Sequence, residues 1–375
     1  MVRAEVDRRR REVLALVAAA TGTLTVGRPT PTLPDATGRS PTPAMTGPDP
    51  NGPCPAFVVS RTEGTTTVTR RGGNEAAFSG SPGAAIQYAI DAGTASGAGT
   101  TVAIGPGTYA LSQPVTLASS TWLAGSGAAT TLRAANGFEG DLLTVPSGTD
   151  HARVSDLRLD GNRDATDRGA CLVVRGDTWR TVIEHLVVRD GPTEGIRFEA
   201  GPDGAYSYEP IVTDVDVARC GGTGFVFGYV GDLFGANLYA ESCEAYGLTL
   251  ADAGGTLIHP HAYDTRGEAG IRILDSARDD VLLGAHCEGN HRHGLVVHGT
   301  RVTVRNGYLA NNSRATPGAD SGVVLDGATE CRVADSTIGD DGGNRTQGYG
   351  LVETAESSAN VVTGNLFTGN LRAAV

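Results

Sequence analysis

The sequence predicts an all-β chain wound as a parallel β-helix, a solenoid of about nine or more turns with a short helix at its N-terminal end. Three observations predict it. A glycine opens a short apolar run nine times, at Gly140, Gly169, Gly195, Gly224, Gly247, Gly270, Gly294, Gly322 and Gly350, with spacings of 29, 26, 29, 23, 23, 24, 28 and 28 residues. A period in the twenties marks one supersecondary unit repeated along an axis. The runs themselves, such as GACLVV, TGFVFG, AGIRIL and SGVVLD, are β-branched or aromatic, bounded by turn residues, and too short for helices. Second runs follow them, as at 212–220, 282–290, 304–312 and 362–370, with no helical stretch between. A leucine-rich repeat would need a leucine pattern that is absent, and a propeller blade would need about 40 residues or more.

In such a solenoid adjacent turns lie about 4.8 Å apart, so equivalent residues stack in columns. Aligning the second runs places Asn290, Asn312 and Asn370 at one position, where side-chain amides can hydrogen-bond to one another. The same alignment predicts an inward column of Val217, Tyr239, Ala262, Cys287, Leu309, Ile338 and Phe367. A thin apolar interior suits a chain that is 39% hydrophobic but only 5% aromatic, and its 53 glycines read as corners.

The N-terminal elements come before the repeats. Ala84 to Asp91 are apolar at helical spacing, and a helix here would cap the open end of the solenoid, where an exposed first strand invites edge pairing. A strand at Thr101 to Ile104 meets the turn Gly105-Pro106-Gly107-Thr108-Tyr109, and Val115 to Leu117 and Trp122 to Gly125 follow. This order (an AIQYAID helix, a strand, a PGTY turn, then strands ending in Leu123-Ala124-Gly125-Ser126-Gly127) resembles the pectate lyase superfamily, the pectin-lyase-like proteins. The resemblance covers residues 81–134 closely and, through the repeats, extends to the C-terminus. It implies a single-stranded right-handed parallel β-helix and action on carbohydrate. That superfamily includes polysaccharide lyases, glycoside hydrolases, uronate epimerases, phage tailspikes and surface adhesins, so it leaves the reaction open.

Residues 1–27 read as a signal peptide. Arg8 to Arg11 precede the apolar stretch 13–20, which is too short to span a bilayer, and Arg10-Arg11-Glu12-Val13-Leu14 resembles the twin-arginine export signature. Residues 28–55, rich in proline and threonine, read as an extended linker, and 56–375 as the β-helix domain. The expected location is therefore extracellular or cell-surface, without a membrane span. The net charge of −12 excludes a generic basic nucleic-acid-binding surface. All 30 basic residues are arginine against 42 acidic ones, a balance resembling proteins of extremely halophilic archaea. Cys54, Cys171, Cys220, Cys243, Cys287 and Cys331 show neither zinc-site nor disulfide spacing. Most read as small core residues, and Cys220 and Cys243 fall close enough on neighbouring turns for a bridge to be considered.

Histidines are concentrated. Six of eight, His259, His261, His286, His291, His293 and His298, fall within barely two turns. Turn alignment stacks His261 on His286, below Asp216 and above Tyr308, with Asp264, Arg266, Glu268, Glu288 and Arg292 near them. Histidine exchanges protons near neutrality and arginine holds a carboxylate bidentately, the two needs of β-elimination from a uronate. The expected catalytic residues are His261, His286, Arg292 and His293, with Asp216, Asp264, Arg266, Glu288 and Tyr308 binding substrate. Residues 290–295, NHRHGL, resemble the Arg-His-Gly step of alginate C5-epimerases and related lyases. That resemblance implies that Arg292 binds the uronate carboxylate and His293 transfers a proton. The Asp-Pro-His step those enzymes carry two turns earlier is missing from 246–253, which offers Tyr246 and Asp252; His259-Pro260-His261 is the nearest echo, on another strand.

A competing site is a ladder of Asp214 and Asp216 with Glu184 and Asp156, which could serve hydrolysis or bind calcium. No cofactor is otherwise implied. The functional expectation is a secreted lyase acting on an acidic, uronate-containing polysaccharide. The alternatives are a non-catalytic surface or spike-like glycan-binding protein, whose relatives among tailspikes are trimers, and a glycoside hydrolase or uronate epimerase.

Overall fold

The computed structural model describes residues 56–73, 76–95, 97, 99–343 and 345–373. The signal-peptide and linker readings, and Cys54, lie outside these residues. The described chain is a right-handed parallel β-solenoid of about eleven turns. Its strands stack in three columns. The first runs from Val115–Thr116 to Tyr349–Glu353, the second from Phe57–Thr62 to Val361–Thr363, and the third from Gly107–Leu111 to Leu366–Thr368. An antiparallel meander, Phe57–Thr62, Thr65–Arg70 and Ala76–Gly80, opens the N-terminal end.

The expected helix spans Pro82–Thr94, with Pro82 in its first turn, where a missing N–H costs nothing. Ala85, Ile86, Ala89 and Ile90 recur at helical spacing and are buried, so this face covers the first coil and shields its apolar interior from water.

In the nine coils from Arg153 onward, the chain bends between the second and third columns through one left-handed residue: Asp156, His185, Asp214, Asn237, His259, Gly284, Asn306, Asp335 and Gly364, with φ from 50 to 69°. Asn, Asp and Gly adopt this region at least cost, which explains why they dominate the bend. The bend is tight and turns the chain without breaking the parallel ladders on either side.

The inward third-column residues are Val217, Ala240, Ala262, Cys287, Leu309, Ile338 and Phe367. Tyr239 is not among them: it faces outward, and Ala240 takes the predicted place. Both residues are apolar enough for the core, and a one-residue slip exchanges the two faces of a strand.

The amide ladder forms inside the corner after the third column. Asn290 Nδ2 donates to Asn312 Oδ1 (2.9 Å), Asn312 Nδ2 to Gln347 Oε1 (3.1 Å), and Gln347 Nε2 to Asn370 Oδ1 (3.0 Å). Gln347 is thus a fourth member. This ladder also accounts for three of the repeating glycines, Gly270, Gly294 and Gly322. A Cβ on Gly270 would lie 2.5 Å from Asn290 Nδ2, and one on Gly294 would lie 2.7 Å from Asn312 Nδ2. These glycines are present for space rather than for a turn conformation.

In the coils before the ladder, Cys220 and Cys243 are free, buried thiols rather than a bridge, each donating to a backbone carbonyl, Ala218 O and Glu241 O. Cys171, Cys287 and Cys331 are free and buried as well, as expected of small core residues.

Candidate functional site

The predicted histidine cluster separates into three places. On the outward face of the third column, Asp216, Tyr239, His261, His286 and Tyr308 occupy successive coils in register. Their rings touch in sequence. Tyr239 meets His261 edge-on at 4.6 Å, His261 stacks on His286 at 4.1 Å and 8°, and Tyr308 meets His286 edge-on at 4.8 Å. Glu288, two residues beyond His286 and so on the same face, accepts a hydrogen bond from it (3.0 Å). That bond holds the Glu288 carboxyl below its ordinary range.

Burial, with the neighbouring His286, lowers His261 to about 4, so at neutral pH it is uncharged. Burial also raises Tyr239, to about 12, and it raises Asp216 despite the opposing charge of Arg189. Tyr308 hydrogen-bonds Asp341, which Asn311 also holds (2.9 Å).

His293 and Arg292 stand elsewhere, at the start of a first-column strand. His293 Nδ1 accepts the backbone N–H of Ser321 (3.0 Å), and its Nε2 lies 3.3 Å from Asp320 Oδ1, which Arg292 Nε approaches at 3.4 Å. Both ring nitrogens are therefore engaged. The lone pair is spent on a backbone donor and the proton points at Asp320, an arrangement poorly suited to the expected proton transfer. Among the described residues no hydrogen bond or ion pair joins this group to His261 or His286, which stand on third-column strands.

The remaining predicted residues make corner ion pairs. Asp264 accepts from Ser242 Oγ and Arg314 NH1 (both 3.0 Å) and lies 3.6 Å from His291 Nε2, while Arg266 binds Glu244 (2.9 and 3.0 Å). The carboxylate ladder does not assemble. Asp156 and Asp214 sit at the left-handed bend with His185 between them, Glu184 pairs with Arg153 in the second column, and Asp216 faces outward in the third.

The third place was not foreseen. A cavity of about 300 Å³ on the first column is lined by Arg272, Leu274, Asp275, His298, Asp326 and Gly327. His298 Nδ1 lies 3.0 Å from the Asp326 carbonyl oxygen and 3.3 Å from its Oδ2, which places the proton on Nδ1. Nε2 is left with a lone pair, no partner and no contact with solvent. This is the arrangement of a base oriented by a carboxylate. Arg272 donates from NH1 to Tyr246 Oη (2.8 Å), packs over the Tyr246 ring at 5.2 Å, and has a buried Nε without a partner. Tyr246 in turn faces Glu268 Oε2 at 3.5 Å. The cavity thus joins the Arg272 guanidinium and an oriented imidazole, with the Tyr246 hydroxyl bonded to Arg272 outside the lining.

A second cavity, of about 340 Å³, lies beside Tyr206, Asp252 and Arg278. Nearby, Trp179 and Tyr208 stack at 4.8 Å and are 42% and 39% exposed.

The fold is that of a right-handed parallel β-helix. Residues 80–247 match the profile of a family described as rhamnogalacturonase A/epimerase, pectate lyase-like. Among solved structures, the A-module of mannuronan C-5 epimerase AlgE4 from Azotobacter vinelandii is similar with a TM-score of 0.60 at 20% identity, covering 79% of this chain and 96% of that one. The enzymatically active domain of tailspike protein 2 of bacteriophage CBA120 gives a TM-score of 0.61 at 13% identity, over 82% of this chain and 49% of that one. The surface adhesin PfbA of Streptococcus pneumoniae gives 0.53 at 12% identity, over 77% and 87%. No curated protein sequence matches the chain. At these identities the likenesses show the fold. No helix among the described residues is long and apolar enough to cross a membrane.

Proposed function

We propose that this chain cleaves an acidic, uronate-containing polysaccharide by β-elimination in the first-column cavity. The observation that carries the reading is the pairing of Arg272 with a His298 whose Nδ1 faces Asp326 and whose Nε2 has no partner. Arg272 holds the carboxylate of a uronate and draws charge from the carbon beside it. A shift of the side chains that cover His298 Nε2 opens it to the cavity, where it takes the C5 proton; the freed electron pair forms the C4=C5 double bond, and the C4–O glycosidic bond breaks. Tyr246, bonded to Arg272, delivers its hydroxyl proton to the departing oxygen and regains one from water. The names of the similar proteins, an epimerase of mannuronan and a tailspike active domain, support a glycan as the partner.

The same reading takes the protein to be secreted. The Arg10-Arg11 segment supports export, and the likeness to a surface adhesin supports a surface setting. Its acidic, lysine-free composition supports a high-salt environment.

Incubation with a panel of uronate polysaccharides, followed by the ultraviolet absorbance of the unsaturated sugar, tests this. The wild type is expected to form product, and Arg272→Ala and His298→Asn to lose it. Silence on every uronan, or product formation indifferent to both variants, refutes the reading. A second reading, glycan binding without cleavage, is favoured by the exposed Trp179–Tyr208 pair, since flat aromatic faces stack on sugar rings. Retention of glycan without product would select it.

A further inference from the structure

We propose that His261, His286 and Glu288 form a binding site for a divalent first-row transition ion, zinc being the probe of choice, on the third-column face and apart from the first-column cavity. The ligand atoms of these three residues all lie within 4.8 Å of one another. His286 Nε2 and Glu288 Oε2 are already 3.0 Å apart. Ligands spaced tetrahedrally at zinc bond lengths stand about 3.4 Å from each other, so closing the set takes side-chain adjustment and no movement of strands. The ligands come from rigid elements: His261 and His286 are register partners on adjacent strands, and Glu288 follows two residues after His286 on the same face.

Three features argue that this is a site and not an incidental ladder. First, His261 Nε2 is shut away from solvent with no hydrogen-bond partner, and a buried polar atom left unsatisfied calls for an explanation. A metal ion accepts its lone pair. Second, the two imidazoles stack face to face at 4.1 Å, where two protonated rings would repel. A cation held at the ring edges by one nitrogen of each neutral imidazole supplies positive charge without that repulsion. Third, the rings are clamped: Tyr239 packs edge-on against one and Tyr308 against the other, and Tyr308 is itself fixed by Asp341 and Asn311. Such outer contacts set ring orientation in metal sites.

The donor set decides the class of ion. Two imidazole nitrogens and one carboxylate suit zinc and its first-row neighbours, whereas calcium and magnesium take oxygen ligands throughout. Three protein ligands leave a coordination position for water or for a sugar oxygen.

The test uses the full chain, folded and stripped with a chelator, titrated with zinc alone and with cobalt alone. One equivalent is expected to bind, with the visible absorption of low-coordinate cobalt bleached by zinc and no competition from calcium or magnesium. His261→Ala and Glu288→Gln should each weaken binding by at least about 10-fold, since a lost ligand costs no less than a lost outer-shell partner. His291→Ala, a nearby histidine outside the set, should bind as the wild type does. Far-ultraviolet circular dichroism checks each fold, and Glu288→Gln carries the test if His261→Ala fails to fold. Absence of one saturable equivalent, or undiminished affinity in Glu288→Gln, overturns the proposal. Metal titration and uronate cleavage are read separately, so either reading can fail alone.

Discussion

Replacing Asn312 by alanine removes the centre of the amide ladder, and the structure sets the size of the effect. The residue is fully buried and makes four hydrogen bonds. Its Oδ1 accepts from Asn290 N (3.2 Å) and Asn290 Nδ2 (2.9 Å), and its Nδ2 donates to Cys287 O (3.0 Å) and Gln347 Oε1 (3.1 Å). At about 1 kcal/mol net for each bond the loss is about 4 kcal/mol, and it rises where the abandoned partners stay dry. Asn365 is the comparison. It also holds two backbone groups, Val333 O (2.9 Å) and Ser336 N (3.0 Å), but it is half-buried, so water can replace what alanine removes. Asn365→Ala should therefore cost less than half as much. Denaturant unfolding followed by circular dichroism measures both. Because a solenoid transmits instability mainly to neighbouring coils, amide hydrogen exchange should show protection lost first in the strands at 286–288, 308–310 and 337–339. If Asn312→Ala costs under about 1 kcal/mol, or no more than Asn365→Ala, the ladder is ornamental and the reasoning fails.

Three further outcomes are expected. Asn237 sits at the left-handed bend with φ of 53°, so Asn237→Val should destabilise by about 1–2 kcal/mol while Asn237→Gly stays near the wild type, as thermal melts would show. Burial raises Asp280 to about 8; its Oδ1 accepts the Gly255 N–H and its Oδ2 has no partner. The folded state therefore holds a proton that the unfolded chain releases near its ordinary value. The stabilisation is complete below about pH 4 and fades as pH rises through about 8. Asp280→Asn should remove this decline from a stability–pH profile, and an unchanged slope would contradict it. Arg272→Lys should lower kcat/KM on a uronate polymer despite its kept charge, because the planar fork that reaches both Tyr246 and a carboxylate is lost.

The solenoid was legible because its period is a packing requirement: Gly270 and Gly294 recur where a side chain would strike the amide ladder of the adjoining coils. Asn290, Asn312 and Asn370 were legible for the same reason. Gln347 was not, because the connection at 340–348 carries it to the ladder 35 residues after Asn312 instead of one regular turn later. Indexing by turn also found the His261–His286 stack, since strand register alone produces that contact.

The first-column cavity was missed although a clue existed. Asp326 follows His298 by 28 residues, the same interval as Gly294 to Gly322. In the string LDG, however, Asp326 reads as an ordinary turn residue, and Arg272 within GIRIL reads as an outward polar residue alternating with core. The void between them depends on how the corner connections fold, and no strand pattern encodes that. The engagement of both His293 nitrogens depends likewise on Asp320 and Ser321, which reach it from the next coil.

The one-residue bend has a consequence for how such a molecule can vary. From Val154 and Leu159 to Val362 and Phe367, the inward residues of the second and third columns stand five positions apart in nine successive coils. The other two corners keep no such count: eight positions separate Val217 from Phe225 but fourteen separate Leu309 from Val323 at one, and sixteen separate Ile196 from Val212 but nine separate Leu248 from Leu257 at the other. The bend acts as a metronome. An extra residue there would put every later beat of that coil out of phase, turning His286 inward and Cys287 out, whereas the loose corners absorb insertions in silence. Natural variation, and any engineered graft, should accumulate at those two corners, leaving the imidazole face of the third column in time from coil to coil.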